Sequence, residues 1–292
     1  MKKYEISFLS SNTEAYPKMI TALIIEPDKL NAHTGAMLFT HGWGGNRFQH
    51  QDKMEYTADK FNLVCISTEY RQSGYDFDPV KGLGAYLPYD ASFYQVFDVL
   101  NSLREVLHHR SAINRKRLFH YGGSQGGHIA LLSSMFAPDT FAFIYASSPL
   151  VYLDEKIKKW TGRAFAEYEL SVRNVIEHAD LIKCPLFIDH GTADSTVSVE
   201  HSKLLEKKLK ELGKEHIFKY YEGGEHSLEP AITKMEAFKA MASDPISDLK
   251  NNQTDDFASR NKIVIDCGEK ILNIDWNKTP ESTTLFEWNT II

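Results

Sequence analysis

Short apolar runs that alternate with helix-length amphipathic segments predict an α/β fold, a mostly parallel central sheet with helices on both faces. Two further observations point the same way. At residues 118–132 an apolar run passes through Gly122, Ser124 and Gly126 straight into a helical pattern, as expected where a buried strand turns directly into a helix. The chain has 292 residues, 42% of them hydrophobic, enough to bury one substantial core.

The elements follow in order. Residues 4–9 and 19–26 read as strands joined by a polar turn, an antiparallel pair at one edge of the sheet. Residues 35–40 form a short apolar strand that runs into His41-Gly42-Trp43-Gly44-Gly45. A helix is expected at 49–61, with Met54, Ala58 and Phe61 on one face, then a buried strand at 63–67. The loop 71–88 is rich in Gly, Asp and aromatic residues and has no periodicity. Asp90 is a candidate N-cap for the next helix. The stripe of that helix (Phe93, Val96, Phe97, Leu100, Leu103 and Leu107) reads as core. After the strand and helix around Ser124 come strands at 141–146 and 185–189. A helix at 200–212 closes on Gly213 in the C′ position. A last strand at 216–221 precedes Pro230, which sits where a first helical residue would, with Ile232, Met235, Phe238 and Met241 at helical spacing behind it.

Two regions fall outside the alternation. Residues 149–183, with Trp160, Phe165, Tyr168, Val172 and Ile176, read as a small helical cap or a packed crossover. Residues 262–276 read as a β-hairpin turning at Cys267-Gly268-Glu269-Lys270, free to extend the sheet, cover the site or join a partner subunit. The expected organisation is a catalytic domain at 1–245 and a C-terminal extension at 246–292 packed on or near it.

A net charge of −6 gives no support for a nucleic-acid or anionic-membrane partner. The start Met1-Lys2-Lys3-Tyr4-Glu5 has no apolar core of a secretory signal, and no stretch reaches the length of a membrane span. Cys65, Cys184 and Cys267 are few, odd in number and widely spaced, which favours buried reduced thiols in a cytoplasmic protein.

The Gly-x-Ser-x-Gly turn is a candidate nucleophile elbow, with Ser124 held above the sheet and Gly122 and Gly126 bare because a side chain would collide with strand or helix. A serine hydroxyl needs a base and a group to orient that base. Where such a turn carries the nucleophile, acid and histidine follow in that order. Asp194 lies in the loop after a core strand. Asp189 competes with it, but sits at the strand end where its side chain can point inward. His226 follows the last core strand in a Gly-rich loop; a solvated loop histidine is the plain alternative. His128, one turn after Ser124, reads as packed or hydrogen-bonded. His108-His109 ends a helix and implies no metal, and His120 and His190 read as structural. The oxyanion donors expected are the backbone N–H groups of Gln125 and Trp43. The Trp43 indole either walls the acyl pocket or packs. Tyr75, Phe77, Tyr86, Leu87 and Tyr89 either line the pocket or fill their own loop; Tyr75 and Tyr86 are the candidate substrate contacts.

In family order, His41-Gly42-Trp43-Gly44-Gly45, Gly122-Gly123-Ser124-Gln125-Gly126-Gly127, Gly191-Thr192-Ala193-Asp194-Ser195-Thr196-Val197 and Gly223-Gly224-Glu225-His226 resemble the α/β-hydrolase superfamily over residues 1–245. Within it the chain is similar to the prolyl-oligopeptidase, acetyl-xylan-esterase and dienelactone-hydrolase branches. The resemblance implies an α/β-hydrolase fold with Ser124 as nucleophile, His226 as general base and Asp194 as its orienter. It implies hydrolysis of a small-molecule carboxylic ester, with a small acyl group or a sugar, through an acyl-enzyme and without cofactor or metal. A peptidase or amidase would use the same triad, although no propeller accompanies these motifs. A non-catalytic binding module is the third reading, disfavoured because all three candidates are present.

Overall fold

The computed structural model describes residues 1–10, 18–78, 83–84 and 88–291. Among them, the apolar runs assemble into an eight-stranded sheet: β1 (Lys2–Ser10), β2 (Lys18–Glu26), β3 (Gly35–Thr40), β4 (Leu63–Glu69), β5 (Leu118–Gly123), β6 (Phe143–Ser147), β7 (Leu186–Gly191) and β8 (His216–Tyr221). The spatial order is β1-β2-β4-β3-β5-β6-β7-β8. β2 runs antiparallel to β1 and β4, and every pairing from β4 to β8 is parallel. The antiparallel edge pair is therefore where the sequence puts it. Every residue of β3, β5, β6 and β7 is buried, as expected for central strands covered on both faces.

The helices are α1 (Gln51–Phe61), α2 (Phe93–His109), α3 (Gln125–Phe136), α4 (Glu155–Thr161), α5 (Glu167–Ser171), α6 (Glu200–Glu211), α7 (Lys234–Asp248) and α8 (Asp256–Ser259). Met54 and Ala58 of α1 and Phe238 and Met241 of α7 pack on one face, against Phe39, Tyr121, Tyr145 and Phe187. α2, α3 and α6 bury Val96, Phe97, Leu131 and Leu205 on the other. No helix among the described residues is long and apolar enough to cross a membrane. Cys65, Cys184 and Cys267 are buried free thiols.

Two helix starts differ from expectation. The N-cap of α2 is Ser92, not Asp90, because Ala91 and Ser92 both take positive φ (55° and 83°) and delay the first turn. Asp90 nevertheless accepts the Gln95 N–H at 2.9 Å, so its carboxylate satisfies a first-turn donor from outside the helix. α7 starts at Lys234 rather than at Pro230. Thr233 and Glu236 form a reciprocal capping box, in which the Glu236 N–H donates to Thr233 Oγ1 (3.2 Å) and the Thr233 N–H to Glu236 Oε2 (3.2 Å).

The insertion at 149–183 carries α4 and α5. Buried Arg173 fastens it over the start of α2 by donating to Ala91 O (2.9 Å) and Asp90 O (2.8 Å). The C-terminal hairpin forms as β9 (Lys262–Asp266) and β10 (Lys270–Asp275). A third strand not anticipated from the sequence, β11 (Phe286–Thr290), completes an antiparallel sheet of its own. This sheet does not extend the main one. It packs on α2 and α3, where Phe286 stacks on Phe97 at 4.6 Å and Trp276 Nε1 donates to Phe136 O at 2.8 Å.

Candidate active site

Parallel strands with right-handed crossovers bring all their C-terminal ends to one edge. Backbone bonds stitch the loops there. Ser124 N–H donates to Ser147 O (2.8 Å), Ser148 N–H to Asp189 O (2.8 Å), and Ala193 N–H to Gly224 O (2.9 Å). The loops after β5, β6, β7 and β8 are thereby fixed side by side.

Ser124 occupies the turn from β5 into α3 at φ 57°, ψ −122°, a conformation L-residues rarely adopt. The neighbouring glycines make that turn possible. A Cβ on Gly122 would lie 2.0 Å from Gly126 O, and one on Gly126 would lie 2.2 Å from Thr40 O. Any side chain at either position would push α3 off the sheet. Ser124 is half-buried, so its hydroxyl can meet a ligand.

Asp194 and His226 meet directly. His226 Nδ1 donates to Asp194 Oδ2 at 2.7 Å; the carboxylate is fully buried and the imidazole 23% exposed. Asp194 Oδ1 accepts from Thr196 N–H (2.8 Å) and Val197 N–H (2.9 Å), and Oδ2 also receives His190 Nε2 at 3.1 Å. Burial alone would raise the Asp194 carboxyl, but the donors from His190, His226 and Val197 outweigh it and hold it well below the usual carboxylate range. Asp189 faces the other side of β7, where the Tyr145 hydroxyl donates to it and burial pushes its carboxyl up. It is turned away from His226, as its strand-end position suggested.

Gly42 lies beside Ser124: a Cβ there would be 3.5 Å from Ser124 Cβ. The next residue, Trp43, stacks on Tyr89 at 4.1 Å and meets Trp160 of α4 edge-on at 6.0 Å. The Tyr89 hydroxyl donates to Gln125 Oε1 at 2.8 Å. Leu150, Leu153, Ile157 and Val197 complete this aromatic corner. Lys156 ties α4 to the loop of Asp194 through Ser195 O (2.7 Å) and Thr196 O (2.9 Å). Tyr75 does not join the corner. Its ring is 89% exposed beside Arg47, because its N–H is anchored to Glu69 Oε1 at 3.2 Å. Phe77 packs against Gly44, whereas Tyr86 and Leu87 lie outside the described residues. His128 is hydrogen-bonded inside the protein, to Ser92 Oγ (3.1 Å) and Arg173 O (2.8 Å).

A family model described as the prolyl oligopeptidase family matches residues 90–243, and one described as acetyl xylan esterase (AXE1) matches residues 1–153. The chain is a serine hydrolase of the α/β-hydrolase superfamily. It belongs to both matched families, each of which covers just over half of it. Among curated relatives, the hydrolase is similar to acyl-protein thioesterase 1 of Aspergillus fumigatus, 22% identical over 219 residues that cover 69% of this chain and 84% of that one. Its likeness to the thioesterase of the same name from Emericella nidulans is 24% over 232 residues, covering 72% and 90%. Among solved structures it is similar to the Pyrococcus horikoshii acylaminoacyl peptidase, with a TM-score of 0.68 and 16% identity over 86% of this chain. The hydrolase spans 42% of that peptidase. It is also similar to a thermophilic esterase of Thermogutta terrifontis, with a TM-score of 0.55, 20% identity and coverage of 75% and 82%. At such identities the structural likeness speaks for the fold.

One contact escaped the sequence reading. His190, read there as structural, reaches the Asp194 carboxylate. Its place four residues before Asp194 at the end of a core strand was the available signal.

Proposed function

We propose that this serine hydrolase cleaves carboxylic esters of small acyl groups or sugars through a Ser124–His226–Asp194 triad. The observation that carries the reading is the 2.7 Å hydrogen bond from His226 Nδ1 to a buried, strongly acidic Asp194, on the same sheet edge as the strained turn that carries Ser124. Ser124 and Asp194 follow strands β5 and β7, which lie two strand spacings apart, about 10 Å.

His226 Nε2 takes the proton from Ser124 as Oγ attacks the ester carbonyl carbon, and Asp194 stabilises the imidazolium. The oxyanion sits against the backbone N–H groups of Gln125, at the first position of α3, and of Trp43. The imidazolium returns its proton to the leaving alcohol. The same nitrogen then activates water, which releases the acid and frees Ser124. The Trp43–Tyr89–Trp160 corner supports an acyl or sugar-ring contact. Trp160, 36% exposed, forms the rim that a ligand would touch first.

The acetyl xylan esterase match, which includes both the Trp43 loop and Ser124, favours an oxygen ester. The thioesterase relatives support acyl-thioester turnover by the same attack. The prolyl oligopeptidase match favours a second reading, amide cleavage. Parallel assays with p-nitrophenyl esters and aminoacyl p-nitroanilides decide between them. The proposal expects ester turnover in large excess; anilide cleavage without ester turnover would replace it with the second reading.

A further inference from the structure

His190 is the second-last residue of β7, and strand alternation turns its ring to the α6 side, opposite to Asp189. Its Nε2 lies 3.1 Å from Asp194 Oδ2 and 3.0 Å from Val197 O, and its Nδ1 lies 2.7 Å from Ser202 Oγ on α6. A carboxylate and a carbonyl can only accept, so Nε2 carries a proton. In the neutral ring, Nδ1 then accepts the Ser202 hydroxyl, which fixes both the tautomer and the ring plane. His190 and Ser202 are fully buried, so bulk water cannot take over these contacts.

Resting on the triad reading above, we propose that His190 is a positioning residue that sets both the angle of the Asp194 carboxylate and its hold on His226. The backbone bonds from Thr196 and Val197 secure Oδ1. Oδ2, the oxygen that meets His226, has its second anchor in His190. Without that anchor the carboxylate can swing about Oδ1, and the His226 imidazole loses the fixed direction of its bond to Oδ2. The two histidines also divide the charge of one oxygen. With both rings donating to it, Oδ2 is held in one direction, and so is the His226 ring bonded to it.

Other charged groups face this set from every side. Lys234 comes from α7, His201 from α6 with its partner Asp154, Asp189 from β7 itself, and Glu225 from the His226 loop through Ser195. Substitution of His190 leaves all of them in place, so they cancel in a comparison of variants.

The test compares His190→Leu, which removes the donor, with His190→Gln, whose amide nitrogen can reach the same oxygen. The first readout is the pH profile of p-nitrophenyl acetate hydrolysis; the second is the His226 ring titration in histidine-labelled protein by NMR. His190→Leu should lower kcat about 10- to 100-fold with KM within about threefold, the size of effect that loss of a supporting partner has at other sites. It should also displace the acid limb of the pH profile and the His226 ring titration, because the base no longer meets its partner in one fixed geometry. His190→Gln should restore most of both. Equal damage by both variants with the profile and titration unmoved means a packing role only and overturns the inference. If His190→Leu does not fold, Ser202→Ala serves instead; a smaller displacement of the profile supports the inference and no displacement overturns it. An inactive wild-type protein sinks the triad reading, and the ring titration then still decides the fate of His190. An active wild type that His190 variants leave unchanged sinks this inference alone.

Discussion

His226 Nδ1 lies 2.7 Å from Asp194 Oδ2, although the two residues are 32 positions apart in the chain. Neighbouring parallel strands bring them together. β7 and β8 end on the same edge, and a Cβ on Gly191 would lie only 2.1 Å from Gly224 O, so a bare Cα is what lets the two loops touch.

Ser124 sits at φ 57°, ψ −122°, a strain of about 1–3 kcal/mol that packing around the elbow must offset. Ser124→Ala should therefore fold and lose turnover by a factor on the order of 10⁶. Ser124→Gly should be equally inactive but melt a few degrees higher than Ser124→Ala, because glycine takes this conformation without strain. Calorimetry of the pair checks the claim; a lower melting point for the glycine variant would argue against strain at the elbow.

A methyl group on Gly126 would meet Thr40 O at 2.2 Å and His41 O at 2.4 Å. Gly126→Ala should then cost about 3 kcal/mol or more and separate α3 from the end of β3. Gly213, also at positive φ (63°) but in open space, provides the contrast. Gly213→Ala should cost only about 1 kcal/mol, through its backbone alone. Denaturant midpoints of the two variants measure the difference.

Burial pulls the imidazoles of His41, His120 and His128 down to about 4, 3 and 3. In the unfolded chain each titrates near ~6.5. Between those limits the unfolded state binds more protons, so stability is complete above pH ~6.5 and falls as pH drops. From pH 7 to 5 each buried imidazole removes about 2 kcal/mol. Urea unfolding at pH 7 and pH 5 should show this loss, and His128→Gln should show about 2 kcal/mol less of it. Identical midpoints at the two pH values would contradict the buried, neutral assignment.

Trp160 meets Trp43 edge-on while remaining partly exposed, at the rim of the aromatic corner. Trp160→Ala should raise KM for the preferred ester about 10-fold, with kcat less affected and the melting temperature within a few degrees. A large fall in melting temperature with unchanged KM would make Trp160 a packing residue of α4.

Much of this site was legible because its signals are local. Ser124 and Asp194 each follow a buried strand and His226 follows the alternating edge strand β8, and the glycines at 122 and 126 mark the elbow whose crowding the structure confirms. What escaped depends on contacts across the chain. Asp90 looks like an N-cap, but the φ values of Ala91 and Ser92 decide where α2 starts. Tyr75 looks like a pocket aromatic until Glu69, on β4, claims its N–H. β11 has only five residues, and Phe286 gains its burial from Phe97 of α2, nearly two hundred positions away. The likeness of His190 to any other strand-end histidine hides its bond to Asp194.

The most direct test is a crystal structure of the protein after reaction with a fluorophosphonate. The account predicts phosphorus on Ser124 Oγ, the phosphonyl oxygen between the N–H groups of Gln125 and Trp43, and His226 Nε2 within hydrogen-bonding reach of the adduct. A label on another residue, or a His226 ring turned away from Ser124 while still bound to Asp194, would contradict it.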